Sequence, residues 1–329
     1  MQNLWRNAGA YIALGIVFLI FALLEPRFWQ PSNLLNVLDQ SVEIAVVAVG
    51  MTAVILMGGI DLSVGSVAAL APFLAALVMT TSPHALGGFA GMTGCGLLVA
   101  LGVGVLVGAI NGLTITKTFL PPFIATLGMM SIVRGLAYVF SNGTSISEGI
   151  PEGFQFTGKN LVSVPVGHNL SANLTWAVVV MAVVFVAGHL LLSRSSVGRA
   201  IYAIGGNETA ARLSGISVDR VKIGVYIVAG VLAAFGGIIE TATVGTAAPQ
   251  AAVDLELNAI AAVVIGGTSL TGGRGSLIGT FAGALLMRMV SNGLTLHQVN
   301  SNWQRVAIGT IIMVAVAFDE IQKRRTRKI

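Results

Sequence analysis

The feature that most constrains this chain is the recurrence, from end to end, of apolar runs approaching the roughly 20 residues an α-helix needs to cross a bilayer. Hydrophobic residues make up 55% and charged residues only 9% of the 329, with a mean hydropathy of +0.88. A soluble domain carries about 25% charged residues, so a water-soluble fold is excluded. The expectation is an all-α, polytopic membrane protein, residues 1–329 forming a single transmembrane domain.

About ten candidate spans follow from the apolar runs: Ala8–Leu24, Val42–Met57, Val64–Met79, Leu86–Ile110, Pro122–Phe140, Leu174–Leu192, Val221–Ile239, Leu257–Ile265, Leu277–Val290 and Val306–Phe318. The first runs into Glu25-Pro26-Arg27 without a small-residue cleavage pattern, so it reads as an uncleaved span. The second, third, eighth, ninth and tenth fall short of a full crossing, and the glycine-rich breaks beside several of them point to interrupted helices.

Basic residues orient the bundle. With the amino terminus inside, cytoplasmic segments hold Arg6, Lys117, Arg194, Arg199, Arg212, Arg220, Lys222, Arg274, Lys323, Arg324, Arg325, Arg327 and Lys328, whereas external ones hold Arg27 and Lys159. An excess of Lys and Arg on the cytoplasmic side sets membrane topology, so both termini are expected in the cytoplasm. Two long connections result: an external segment over about 141–173 and a cytoplasmic loop over about 193–221. The formal charge of +5 is too thinly spread for a nucleic-acid stripe.

Glycine occurs 41 times, in places at four-residue spacing: Gly104, Gly108 and Gly112, and again Gly275, Gly279 and Gly283. Small residues at that interval let helix backbones approach closely in lipid. The chain also echoes itself. The stretch from Ala53 through Gly58-Gly59-Ile-Asp61-Leu-Ser63 to Ser66 resembles Ala262 through Gly266-Gly267-Thr268-Ser269-Leu-Thr271 to Ser276. Paired glycine-interrupted segments point to a transporter's solute path, because unwound backbone offers polar groups inside the bundle. Gly58, Gly59, Asp61, Ser63, Gly266, Gly267, Thr268 and Ser269 are therefore the path candidates. Asp61 is either a functional carboxylate or a cap for the third span. Arg134, Arg288, Arg305, Glu43, Glu240, Asp254 and Glu256 lie in or near spans and read as structural ion pairs or snorkelling side chains.

In the cytoplasmic loop, Asn207 is a natural N-cap, Glu208 suits the positive helix end and Gly215 is placed to terminate. The short helix between them offers Ala210, Ala211 and Leu213 as a small apolar face for a groove on a cytosolic protein.

Three runs, Ser196–Lys222, Gly58–Gly65 and Ala259–Ser276, resemble the ribose-type permeases of bacterial ATP-binding cassette (ABC) sugar importers, and the similarity spans nearly the whole chain. The resemblance implies that Asn207, Glu208, Ala210, Ala211, Arg212, Leu213 and Gly215 form a coupling helix for an ATPase. The family's Glu-Ala-Ala-x-x-x-Gly pattern is one residue longer here between Glu208 and Ala210, and no Ile-x-Leu-Pro follows. It further implies a second permease subunit, a cytosolic ATPase with tandem nucleotide-binding domains that holds ATP and magnesium, a periplasmic or lipid-anchored solute-binding protein, and no cofactor in this chain. A monosaccharide is the implied solute. An autoinducer, polyol, nucleoside or branched-chain amino acid stays open, as does an ATPase-independent secondary transporter.

Other signals are discounted. Gly153-Phe-Gln-Phe-Thr-Gly158-Lys159-Asn160 lacks the Ser or Thr that ends a phosphate-binding loop. His84, His168, His189 and His297 stand singly, without metal spacing. Cys95 has no partner for a disulfide. No catalysis is expected.

Overall fold

The computed structural model describes residues 2–81, 89–167 and 170–326. His84, His168, Arg327 and Lys328 lie outside them. Ten helices correspond one to one with the expected spans: α1 (Gln2–Leu24), α2 (Pro31–Leu56), α3 (Val64–Thr81), α4 (Phe89–Lys117), α5 (Pro122–Ser141), α6 (Trp176–Arg194), then α9 (Val218–Val244), α10 (Leu255–Ile265), α11 (Leu277–Leu296) and α12 (Ser301–Thr326). Two short helices, α7 (Ser196–Gly206) and α8 (Glu208–Leu213), fill the loop between α6 and α9. Among the described residues, seven helices are long and apolar enough to cross a membrane.

Several boundaries correct the sequence reading. The second, third, ninth and tenth spans reach 26, 18, 20 and 26 residues and are not short. Polar ends had hidden them. The first turns of α2 carry Asn33 and Asp39, which are helical because each has a polar partner: Asn33 bonds the Asn292 side chain at 2.9 Å, and Asp39 accepts from the Thr175 hydroxyl. Pro31 at the first helical position is pre-set for the helix φ. The eighth span remains short, since the 11 residues of α10 rise only about 16 Å. The all-α expectation also misses an antiparallel hairpin, β1 (Asn160–Gly167) with β2 (Leu170–Thr175), at the end of the connection between α5 and α6. Alternating Val and polar residues there suit a strand of period 2.

The core is built around α2 and α9. Residues 41–57 are buried almost all round, which a helix in a bundle centre requires. Gly50 packs on Ala229 and Gly236 on Val47, so α2 and α9 run antiparallel; Gly59 lies at Tyr226 and Ala68 at Gly237, so α3 runs with α9. The α4 glycines act as the spacing predicts. A Cβ at Gly104 would meet the Gly230 carbonyl, and Cβ atoms at Gly108 and Gly112 would come within 2.7 Å of the Cα atoms of Ile227 and Ile223. Gly279 and Gly283 likewise seat Gly266 and Ala262 of the α10 segment, but Gly275 lies before α11 and packs on Thr268. Helices α4, α5 and α6 turn most of their apolar surface outward.

Of the seven charged residues expected to pair or snorkel, four form two ion pairs and Arg134 bonds backbone carbonyls. Arg288 meets Glu43 at 3.5 Å, Arg305 meets Asp254 at 3.7 Å, and Arg134 donates to the carbonyls of Pro249 and Ala251. Between α1 and α2, Arg27 hydrogen-bonds Glu25 and holds its carboxyl down at about 2.

Candidate functional site

The two glycine-rich segments abut at one end of the bundle. The Gly273 N–H donates to the Leu56 carbonyl at 2.8 Å, where α2 ends, and a Cβ on Gly272 would come within 2.9 Å of the Gly58 nitrogen. Helix α7 closes the third side. A side chain on Gly205 would run into the Leu56 carbonyl and the Gly273 nitrogen, and the Tyr202 hydroxyl donates to the Gly275 carbonyl at 3.0 Å. Gly58, Gly267, Gly272 and Gly273 all have φ near +80°, a conformation that costs other residues about 1 kcal/mol or more. That requirement explains the glycines independently of any solute. Both breaks are reversals between consecutive helices rather than gaps within one, since Gly266 meets Gly279 and Ala262 meets Gly283 in antiparallel order.

The first segment ends in a buried polar cluster. Asp61 and Ser63 are each 1% exposed, and Asp61 Oδ1 accepts from the Ser63 N–H at 2.9 Å and from its hydroxyl at 2.6 Å. Asn111 of α4 donates to Ser63 Oγ at 2.9 Å and reaches Asp61 Oδ1 at 3.5 Å. Asp61 therefore fixes Ser63, the residue preceding α3, and itself lies two residues before that cap position. Asp61 Oδ2, Asn111 Oδ1 and the Tyr226 hydroxyl have no hydrogen-bonding partner among the described residues, although each residue is 1% exposed. Three such atoms in one region are unusual, since buried polar groups are generally paired. Tyr226 also presses its hydroxyl against Gly59 and, with Met57, Glu208 and Lys222, lines a cavity of about 160 Å³.

The second segment has no carboxylate. The Ser269 N–H donates to the Arg274 carbonyl at 2.8 Å, its hydroxyl meets that of Thr271 at 2.9 Å, and Ser276 caps α11 through Gly279. Thr268 is 1% exposed, with its hydroxyl unpartnered among the described residues. Gly266 serves close packing on α11. Of the path candidates, Asp61, Ser63, Thr268 and Ser269 are buried within the chain, whereas Gly58 and Gly267 are exposed.

Helix α8 forms as its caps dictate. Asn207 Oδ1 accepts from the Ala210 N–H at 3.0 Å, and Gly215 leaves in the left-handed region at φ +83°. Its expected apolar face is corrected. Ala211 is 4% exposed and faces its own bundle, Ala210 is exposed, and Leu213 is 85% exposed. The amphipathic period of six residues turns Ala211 inward because Ile216 doubles back to bond its carbonyl at 3.1 Å. The charges are likewise engaged: Lys222 meets Glu208 at 2.8 Å, Arg212 meets Asp219 at 3.0 Å, and Lys117 meets Asp219 at 3.5 Å. The hydrogen bond to Asp219 raises the Arg212 guanidinium above its ordinary range.

Sequence reasoning missed Asn111, Tyr226 and Tyr202. A lone amide or phenol in an apolar run is the available signal; the expected fourth span stops at Ile110, one residue before Asn111 and seven before the end of α4.

Against known proteins, residues 33–316 match the family model described as branched-chain amino acid transport system / permease component. The chain is 42% identical over 308 residues to the ribose import permease protein RbsC of Escherichia coli K12, covering 94% of this chain and 92% of that protein. It is 42% identical to RbsC of Bacillus subtilis 168, with 97% and 94% covered, and 34% identical to the galactose/methyl galactoside import permease protein MglC of E. coli K12, with 98% and 96% covered. Among solved structures, an inward-facing metal-chelate type ABC transporter shares the fold at TM-score 0.52 and 12% identity, covering 94% of this chain and 98% of that one. The chain therefore belongs to the ribose-type permease family of ABC importers, as a multi-pass membrane subunit. It is a transport permease and not an enzyme, and its class works with an ATPase and a solute-binding protein.

Proposed function

We propose that this permease carries a monosaccharide across a bacterial inner membrane, with both termini in the cytoplasm and residues 1–329 acting as one transmembrane unit. It pairs with a second permease subunit, identical or closely related. A cytosolic ATPase with tandem nucleotide-binding domains holds the ATP and magnesium, and α8, from its cap Asn207 to Gly215, docks on it. The glycine segments carrying Gly58, Gly59, Asp61, Ser63, Gly266, Gly267, Thr268 and Ser269 border the solute's route. A periplasmic or lipid-anchored binding protein delivers the sugar.

The observation that carries this reading is the 42% identity over nearly the full length to permeases named for ribose import. Supporting it is the geometry of α8, a capped helix that presents Leu213 to solvent at the end where the basic loops gather.

The test is reconstitution of the permease in vesicles with its cognate ATPase and binding protein. Labelled pentose should accumulate only when ATP is supplied on the ATPase side, and Leu213→Arg should abolish the ATP hydrolysis that loaded binding protein stimulates, with thermal stability unchanged. Ion-driven uptake by the chain alone, or uptake of amino acids in place of sugars, would overturn it.

A further inference from the structure

The charged residues of α8 do not stand free. Lys222, Glu208, Arg212, Asp219 and Lys117 form a single chain of alternating sign, with successive separations of 2.8, 3.5, 3.0 and 3.5 Å. It begins and ends on long helices. Lys222 and Asp219 belong to the first turns of α9 and Lys117 to the last residue of α4, while Glu208 and Arg212 sit one turn apart on α8.

Those two helices are locked together. Gly104, Gly108 and Gly112 bring the α4 backbone onto the α9 backbone at Gly230, Tyr226 and Ile223, so no side chain intervenes to absorb a relative displacement. By contrast α8 follows α7 through the single extended residue Asn207 (φ −160°, ψ 103°). Lys222 is also four residues, about one turn, before Tyr226, whose hydroxyl stands against Gly59 in the segment that carries Asp61.

We propose that this ion-pair chain is a strut that makes α8 a rigid branch of the α4–α9 pair, with Lys222 and Asp219 as positioning residues for ATP-coupled transport. Glu208 and Arg212 are then engaged by their own chain, and recognition by the ATPase falls to the uncharged outer surface around Leu213. Displacement of α8 passes along α9 to Tyr226 and the Gly59–Asp61 segment. Isolated exposed pairs contribute little, but a network of several charges is the recognised exception. Lys222, 18% exposed at its side chain, is the best shielded member.

This inference rests on the reading of α8 as the ATPase-docking helix, and the experiment separates the two. The full transporter in vesicles is assayed for ATP hydrolysed per sugar imported, beside thiol cross-linking of Leu213→Cys to the ATPase in a Cys95→Ala background. E208K and K222E should each raise the ATP-to-sugar ratio by about fivefold, a coupling typical of contacting residues, while the cross-link and the melting temperature hold. The swapped double variant E208K/K222E re-forms the link between positions 208 and 222 but sets a lysine against Arg212, so the ratio should fall back part of the way toward the parent. The neutral pair Glu208→Gln with Lys222→Gln, which cannot leave a like-charge clash, should resemble the single variants. An unchanged ratio in the single and neutral variants, or a swap no better than the single variants while cross-linking persists, overturns the strut. Failure of Leu213→Cys to cross-link in the otherwise unaltered protein overturns the docking reading beneath it.

Discussion

The two glycine-interrupted segments share one sequence grammar and reach different physical ends. In both, an apolar helix stops at a Gly-Gly, a hydroxyl follows a leucine, and a new helix starts. The first segment closes on a carboxylate that is 1% exposed and ties α3 to α4 through Ser63 and Asn111. The second closes on itself, through the Ser269–Arg274 turn and a hydroxyl pair, and engages its neighbours with backbone alone. Similar local sequence thus supplies a tertiary polar anchor in one place and a tight turn in the other. What differs is the partner: α4 delivers Asn111 to the first segment, and no side-chain amide reaches the second among the described residues.

The largest effect should come where both segments meet. Gly205→Val would push a branched side chain into the Leu56 carbonyl and the Gly273 nitrogen, neither of which is a flexible side-chain end. Overpacking of this kind costs about 3 kcal/mol, and the yield of monodisperse protein after detergent extraction should collapse. A well-folded variant would show that the two segments are not held together through α7.

Asp61→Ala should cost less. It removes the acceptor of the Ser63 N–H and hydroxyl, leaving buried donors unmet at about 1–3 kcal/mol; thermal stability and sugar uptake should both fall, and Asp61→Asn should recover part of each. Uptake and expression indistinguishable from the parent would reduce Asp61 to a replaceable anchor.

Thr268→Val, the matching change in the second segment, should leave stability within about 1 kcal/mol, because a buried hydroxyl without a partner contributes nothing that valine lacks. A melting temperature that drops sharply would mean the segments are more alike than their contacts indicate. Uptake that falls while stability holds would place Thr268 among the solute's contacts.

The amino-acid sequence by itself determined the membrane fold, the correspondence of ten helices to ten apolar runs, the close packing of α4 through Gly104, Gly108 and Gly112, and α8 with its Asn207 cap. These depend on local composition and spacing, which lipid and backbone geometry convert directly into structure. Only the tertiary structure decided that α2 extends through Asn33 and Asp39, since their partners Asn292 and Thr175 are remote in the chain. It alone turned Ala211 inward, gave Glu208 and Arg212 partners on α9, and brought Asn111 and Tyr226 to Asp61 and Gly59. The physical reason is common to all of these: a polar side chain in a membrane bundle is placed by the group that satisfies it, and that group is seldom a neighbour in sequence.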